Sequence, residues 1–164
     1  MTSDYLRLLF DYHYWAMRRV WHCIANLTPE QFVQPLDYSI GSIRSQVVHT
    51  MSAEWLWFER LQGRSPTHVL NPDEYPTPEA VQAAWREVEA NSRAFLSTIT
   101  DEQLGQRFAY RTTRGMPFED EVGNLLFHIV NHATDHRAQI LAMLHTLGVA
   151  GVEQDLLFYL RERE

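Results

Sequence analysis

Between Ser42 and Gly63 the apolar residues run almost all the way round a helix: Ile43, Val47, Val48, Met51, Trp55, Leu56, Trp57, Phe58 and Leu61 leave little room for a solvated face. A helix of this kind has to be covered on more than one side, by its own chain or by a second one. Three other long stretches keep the three-and-four step of an amphipathic helix. The first runs from about Asp4 to Asn26, with Tyr5, Leu9, Tyr12, Ala16, Val20, Cys23 and Leu27 on one stripe. The next opens with Thr77 as cap and Pro78 at its first position and runs through Trp85, Val88 and Phe95 to about Thr98. The last spans about Glu119 to Leu147 and stops at Gly148. Four long helices in one chain of 164 residues predict an all-α four-helix bundle in a single domain, residues 1–164.

The connections carry their own signals. Thr28-Pro29-Glu30-Gln31 has the residues of a capping box with proline at the first helical position, and Thr100 to Gln103 looks like a second short capped turn. Residues Arg64 to Pro78 hold Pro66, Pro72, Pro76 and Pro78 and read as a loop. Arg107 to Phe118 reads as a small β-hairpin around Arg114-Gly115, and about Glu153 to Arg161 as a last short helix. Trp55 and Trp57 fall on different sides of their helix, which suggests a homodimer. The alternative is that the first and third long helices and the proline-rich loop cover both sides.

The charge balance argues against nucleic acid as the main partner. Lys and Arg number 14 against 21 Asp and Glu, a net charge of −7, whereas nucleic-acid binding leans on Lys and Arg to neutralise phosphates. Cys23 is the only cysteine, so no intramolecular disulfide can form, and a cytoplasmic location is expected. Met1 to Phe10 carries Asp4 and Arg7 and has neither the pattern of a signal peptide nor that of a membrane span.

Histidine is where the chemistry concentrates. Of the 8 histidines, His128, His132, His136 and His145 lie on the last long helix. On a helical wheel Val122, Leu125, Leu126, Ile129, Ala133, Ile140, Leu144 and Leu147 form its core stripe, and His136 falls inside that stripe. His132 lies about 40° to the side, His128 about 40° further toward the polar side. Histidines four apart stand one turn above each other, so their ring nitrogens can converge on one ion. Three at successive turns span roughly 12 Å, too far for one ion. The choice is therefore His128 with His132 or His132 with His136, and the wheel favours the second pair. A lone pair of this spacing is also common on solvated helix faces, so a metal site requires a third ligand from elsewhere.

Three stretches resemble the DinB family of DinB/YfiT-like metal-dependent proteins. They are Asp11 to Arg19 in the first helix, Gly41-Ser42-Ile43-Arg44 leading to Val47-Val48-His49, and His128 to Ile140. Within the last, the pattern Asn131-His132-x-Thr134-x-His136-Arg137-x-Gln139-Ile140 is close to a family signature. The resemblance covers nearly the whole chain. It implies a divalent metal ion, Zn²⁺ or Ni²⁺, held by His49, His132 and His136; the place of His49 rests on the resemblance alone. Relatives often carry asparagine where this chain has His13. That ring points inward and could line the site, carry protons or add a ligand, though a hydrogen-bonded core histidine is the favoured reading.

Three imidazoles leave open positions on an ion, the arrangement of catalytic rather than structural sites. Asp135 is the favoured partner to orient a ligand ring, with Asn131 and Gln139 nearby. Arg18 and Arg137 are expected to be solvated or salt-bridged, and Tyr12, Tyr14 and Glu54 have no spacing that compels a role. Some DinB-like relatives are transferases or isomerases that use mycothiol or bacillithiol, so the resemblance implies a metal-dependent thiol transferase or related enzyme acting on a small molecule. The alternatives are a stress-linked metal-binding protein without chemistry of its own, and a bundle whose histidines bind nothing.

Overall fold

Three of the four long helices start where a hydroxyl side chain takes a backbone N–H that has no partner inside the helix. In the computed structural model, which describes residues 1–163, Thr2 accepts from Tyr5 N at the start of α1 (Ser3–Ile24). Thr28 and Gln31 complete a capping box at α2 (Pro29–Val33). Ser42 caps α3 (Ile43–Leu61), and Thr77, followed by Pro78, caps α4 (Pro78–Thr98). A second capping box, Thr100 with Gln103, opens α5 (Asp101–Leu104). Strands β1 (Arg107–Arg111) and β2 (Pro117–Glu121) precede α6 (Val122–Thr146), and α7 (Leu156–Glu162) ends the chain. Gly63 and Gly148 stop α3 and α6 at φ +82 and +80, where a side chain would be strained. Beyond each, Arg64 N donates to Glu59 O and Val149 N to Leu144 O, the closing bonds of a Schellman turn.

The four long helices form a ring in the order α1, α6, α3, α4, with α3 packed most extensively on α6. This is the all-α bundle expected, with one small hairpin. The hairpin runs three residues past the expected Phe118, because Arg107 pairs with Glu121 and Val122 N donates to Gln106 O, so α6 begins at Val122 rather than Glu119. The ring of Trp57 lies against Tyr110 of β1, centroids 5.0 Å apart, and Trp55 lies against His68 of the proline-rich loop at 5.5 Å. Both tryptophan-bearing flanks of α3 thus meet other parts of this chain. Among the described residues no helix is long and apolar enough to cross a membrane.

The core is divided along its length. At one end Val20, Ile24, Ile43, Val47, Met51, Val81, Ile140 and Leu144 pack together; at the other, Leu6, Phe10, Phe58, Leu96, Leu126 and Ile129. Between them each long helix contributes a buried polar group: His13 from α1, Glu54 from α3, Ser92 from α4 and Arg137 from α6. Buried polar groups of this kind persist only when hydrogen-bonded. Glu54 accepts from Tyr14 Oη (2.6 Å), Ser92 Oγ (2.8 Å) and Trp85 Nε1 (2.9 Å), with His13 Nε2 at 3.3 Å. Arg137, expected to be solvated or salt-bridged, is fully buried instead and takes part in none of the ion pairs among the described residues. It donates to His13 Nδ1 (2.8 Å), Gln154 Oε1 (2.7 Å) and Thr134 Oγ1 (2.9 Å). A guanidinium can only donate, so His13 Nδ1 is the acceptor and the ring's proton sits on Nε2, facing Glu54. Burial, opposed by Glu54 and reinforced by Arg137, lowers the pKa of His13 and keeps the ring neutral.

Candidate metal centre

α6 turns two neighbouring residues to opposite duties. Arg137 points into the polar layer, and His136, placed inside the core stripe by the helical wheel, sits half-buried at the edge of the groove between α6 and α3. One turn earlier, His132 brings its Nε2 to 3.0 Å from Nε2 of His136. Across the groove, the His49 ring stands 4.5 Å from that of His136 and 5.2 Å from that of His132. One nitrogen from each of the three rings falls within 4.8 Å of the other two. Zn–N bonds of about 2.0–2.1 Å at tetrahedral angles separate two ligand nitrogens by roughly 3.3 Å, so the rings need only small adjustment to share an ion. The structure therefore brings together the three histidines singled out from the sequence. His13 lies in the polar layer, as the favoured reading had it. His128, one turn beyond His132 with ring centroids 5.7 Å apart, is exposed.

The groups round His136 differ from those expected. Asp135 does not meet its ring; its carboxylate accepts from Gln139 Nε2 at 3.0 Å. Gln46, fully buried on α3, meets His136 Nδ1 at 2.7 Å, and the same amide reaches Gln139 Oε1 at 2.7 Å. Ser39 Oγ donates to Gln139 Oε1 (2.5 Å) and lies 3.2 Å from Gln46 Oε1. Gln46 was missed from sequence, although a polar residue amid the apolar positions of α3 is itself a signal.

The electrostatics favour neutral rings. Burial, then the fields of His136, His49 and His128, lower the pKa of His132 to about 4. Burial also lowers His49, and burial with the neighbouring His49 lowers His136. All three therefore keep lone pairs at neutral pH, as metal ligation by imidazole requires. His49 also lines a cavity of about 300 Å³ with Ile40, Ser45, Ser52, Val69, Leu70 and Pro72. Ser52 Oγ accepts from Leu70 N at 2.9 Å and so pins the proline-rich loop as the cavity's outer wall.

Fold and cluster together define a four-helix bundle with a candidate three-imidazole metal centre in the groove between two of its helices. The chain belongs to the DinB family, whose model matches residues 1–164. It is similar to Protein DinB of Bacillus subtilis (strain 168), 26% identical over 163 residues, covering 96% of this chain and 95% of that protein. Three solved structures share the fold. A conserved protein from Enterococcus faecalis has TM-score 0.65 and 15% identity, over 84% of this chain and 94% of that one. A DinB-like protein from Bacillus cereus ATCC 10987 has TM-score 0.64 and 16% identity, over 93% and 97%. YfiT from Bacillus subtilis, a probable metal-dependent hydrolase with an unusual four-helix bundle topology, has TM-score 0.63 and 16% identity, over 88% and 86%.

Proposed function

We propose that this chain is a metal-dependent enzyme acting on a small molecule, with a divalent ion, Zn²⁺ or Ni²⁺, held by His49, His132 and His136. The observation that carries the reading is the convergence of three imidazole nitrogens from two helices within 4.8 Å of one another, beside a cavity. Such an ion, when bound, would lower the pKa of a water or a thiol and so supply a nucleophile near neutral pH. The rest falls to the protein. Three ligands leave a side open, and the cavity that His49 lines gives a small molecule one approach to it. Ile40, Val69 and Leu70 give that cavity an apolar lining. That YfiT is a probable metal-dependent hydrolase agrees with this class of chemistry. A low-molecular-weight thiol is the nucleophile we favour, with water as the competing one.

Gln46 would orient His136. A ligand ring that binds through Nε2 must carry its proton on Nδ1, so the Gln46 amide would turn its oxygen toward it. Gln46→Leu is expected to weaken metal binding about ten- to hundredfold in a chelator competition, while Gln46→Glu, which keeps an acceptor, retains it.

The test of the proposal is metal analysis of protein purified without a His tag, followed by thiol-conjugation and ester-hydrolysis assays on metal-loaded protein and its His136→Ala variant. About one equivalent of metal is expected, with turnover that disappears in the variant. Folded protein that takes up no metal overturns the reading; one equivalent of metal without turnover in either assay leaves a metal-binding protein and removes the enzyme.

A further inference from the structure

One turn beyond Trp57, α3 buries a cation that no carboxylate among the described residues neutralises. Arg60 is only 5% exposed, and its Nε finds no hydrogen-bond acceptor among the described residues. None of the ion pairs among those residues includes it. Its guanidinium carbon lies 4.7 Å from the ring centre of Trp57 and 5.7 Å from that of Tyr110. Aromatic faces attract a cation but take none of its five N–H bonds. The contrast with Arg137, whose guanidinium is bonded to four side chains, is direct.

The position of Arg60 relates it to the histidines. It follows His49 by 11 residues, which at about 100° each returns it to within roughly 20° of the same helix face, about 16 Å along the axis. Side chains lean toward the helix N-terminus, so the guanidinium reaches back over Trp57, toward the histidines. The space between is bridged by rings: His128 stands 5.7 Å from His132, and Trp57 stands 5.6 Å from His128. Trp57 and His128, with Tyr110, Asp120, Asn124 and Leu125, line a cavity of about 260 Å³. Asp120 accepts from the Tyr110 hydroxyl at 2.9 Å and makes no ion pair with Arg60, so the guanidinium has no carboxylate partner among the described residues.

We propose that Arg60 is the anion-binding end of the substrate groove, so that the small molecule taken by the histidine centre carries a carboxylate at its far end. The inference rests on the metal-dependent reading above. It adds the substrate class: an elongated carboxylic acid whose reactive group meets the metal while its body lies along Trp57 and His128. A bidentate guanidinium–carboxylate pair in a shielded site is strong enough to select for that group.

A metal-anchored ruler tests it. Protein loaded with Co²⁺ is titrated with mercaptohexanoate, mercaptooctanoate and mercaptoundecanoate, each with its thiol at the end opposite the carboxylate, and with mercapto-alcohols of matching length. Binding is read from the thiolate-to-cobalt absorption. At one length the acid is expected to bind about tenfold or more tighter than its alcohol. Arg60→Gln should erase that preference while leaving the alcohol's affinity unchanged, and Arg60→Lys should keep part of it. Equal binding of acid and alcohol at every length in the unmodified protein overturns the proposal, and this arm needs no variant. A preference that survives in Arg60→Gln also overturns it, as does metal-loaded protein whose spectrum no mercaptan changes. Failure to take up Co²⁺ is a separate result, read before any ligand is added, and it removes the metal centre itself.

Discussion

Glu54→Ala is expected to cost about 3–5 kcal/mol of folding stability, seen as a lower midpoint in a urea titration with the slope little changed. The carboxylate is 2% exposed and receives Tyr14, Trp85 and Ser92, with His13 beside it, so its removal strands donors from two other helices at once. Each stranded donor costs about 1–3 kcal/mol, although partial collapse of the site keeps the sum below the simple total. The loss also leaves Arg137 as a buried cation with no buried carboxylate across His13 to balance it. Set against a typical domain stability of about 5–15 kcal/mol, the variant approaches the folding threshold. Glu54→Gln should lose less, because one oxygen remains to accept while the new NH₂ confronts donors. A Glu54→Ala protein within about 1 kcal/mol of the parent would mean that the polar layer does not couple the four helices.

That layer also shows what the sequence displays and what it hides. The spacing of apolar residues is a local property, so the four long helices are legible directly, as are the caps of α3 and α4 at Ser42 and Thr77 and those of the short α2 and α5 at Thr28 and Thr100. The pair His132 and His136 is legible too, since residues four apart must share a helix face whatever surrounds them. His49 is different. α3 is apolar nearly all round, so no wheel can say which of its faces meets α6, and only family resemblance pointed to this residue. Arg137 teaches the opposite lesson. It falls in register with Ala133, Ile140 and Leu144 on the core stripe, and its charge alone argued for the surface. The buried partner that makes its burial tolerable, His13, stands 124 positions away in the chain. Gln46 and Arg60 were hidden for the same reason: their significance lies in what reaches them, or fails to, across the groove.

Metal-free protein is expected to lose stability as the pH falls from about 6.5 toward 4. His132 shows why. In the unfolded chain its ring takes up a proton near pH 6.5, whereas in the folded protein burial and the neighbouring histidines hold its pKa at about 4. Between those values the unfolded state binds the extra proton, so acid pulls the equilibrium toward it. The full separation corresponds to about 3 kcal/mol, an upper bound that solvent reaching the half-buried ring reduces. His49, His136 and His13 are lowered as well and add in the same direction. Glu54, which burial would raise but the hydrogen bonds from His13, Tyr14 and Trp85 hold below the ordinary range, adds its own loss in more acidic solution. A cluster that crowds three imidazoles is thus a liability to the empty fold, and a bound ion would reverse it. With metal at about a thousandfold over its Kd, the parent at pH 7 should gain roughly 4 kcal/mol. His132→Ala separates the two effects. The variant should show no metal-dependent gain at pH 7, yet without metal it should lose less stability between pH 7 and pH 5 than the parent does. A variant that keeps the metal-dependent gain, or is as acid-sensitive as the parent, would show that the crowded rings are not there to hold an ion.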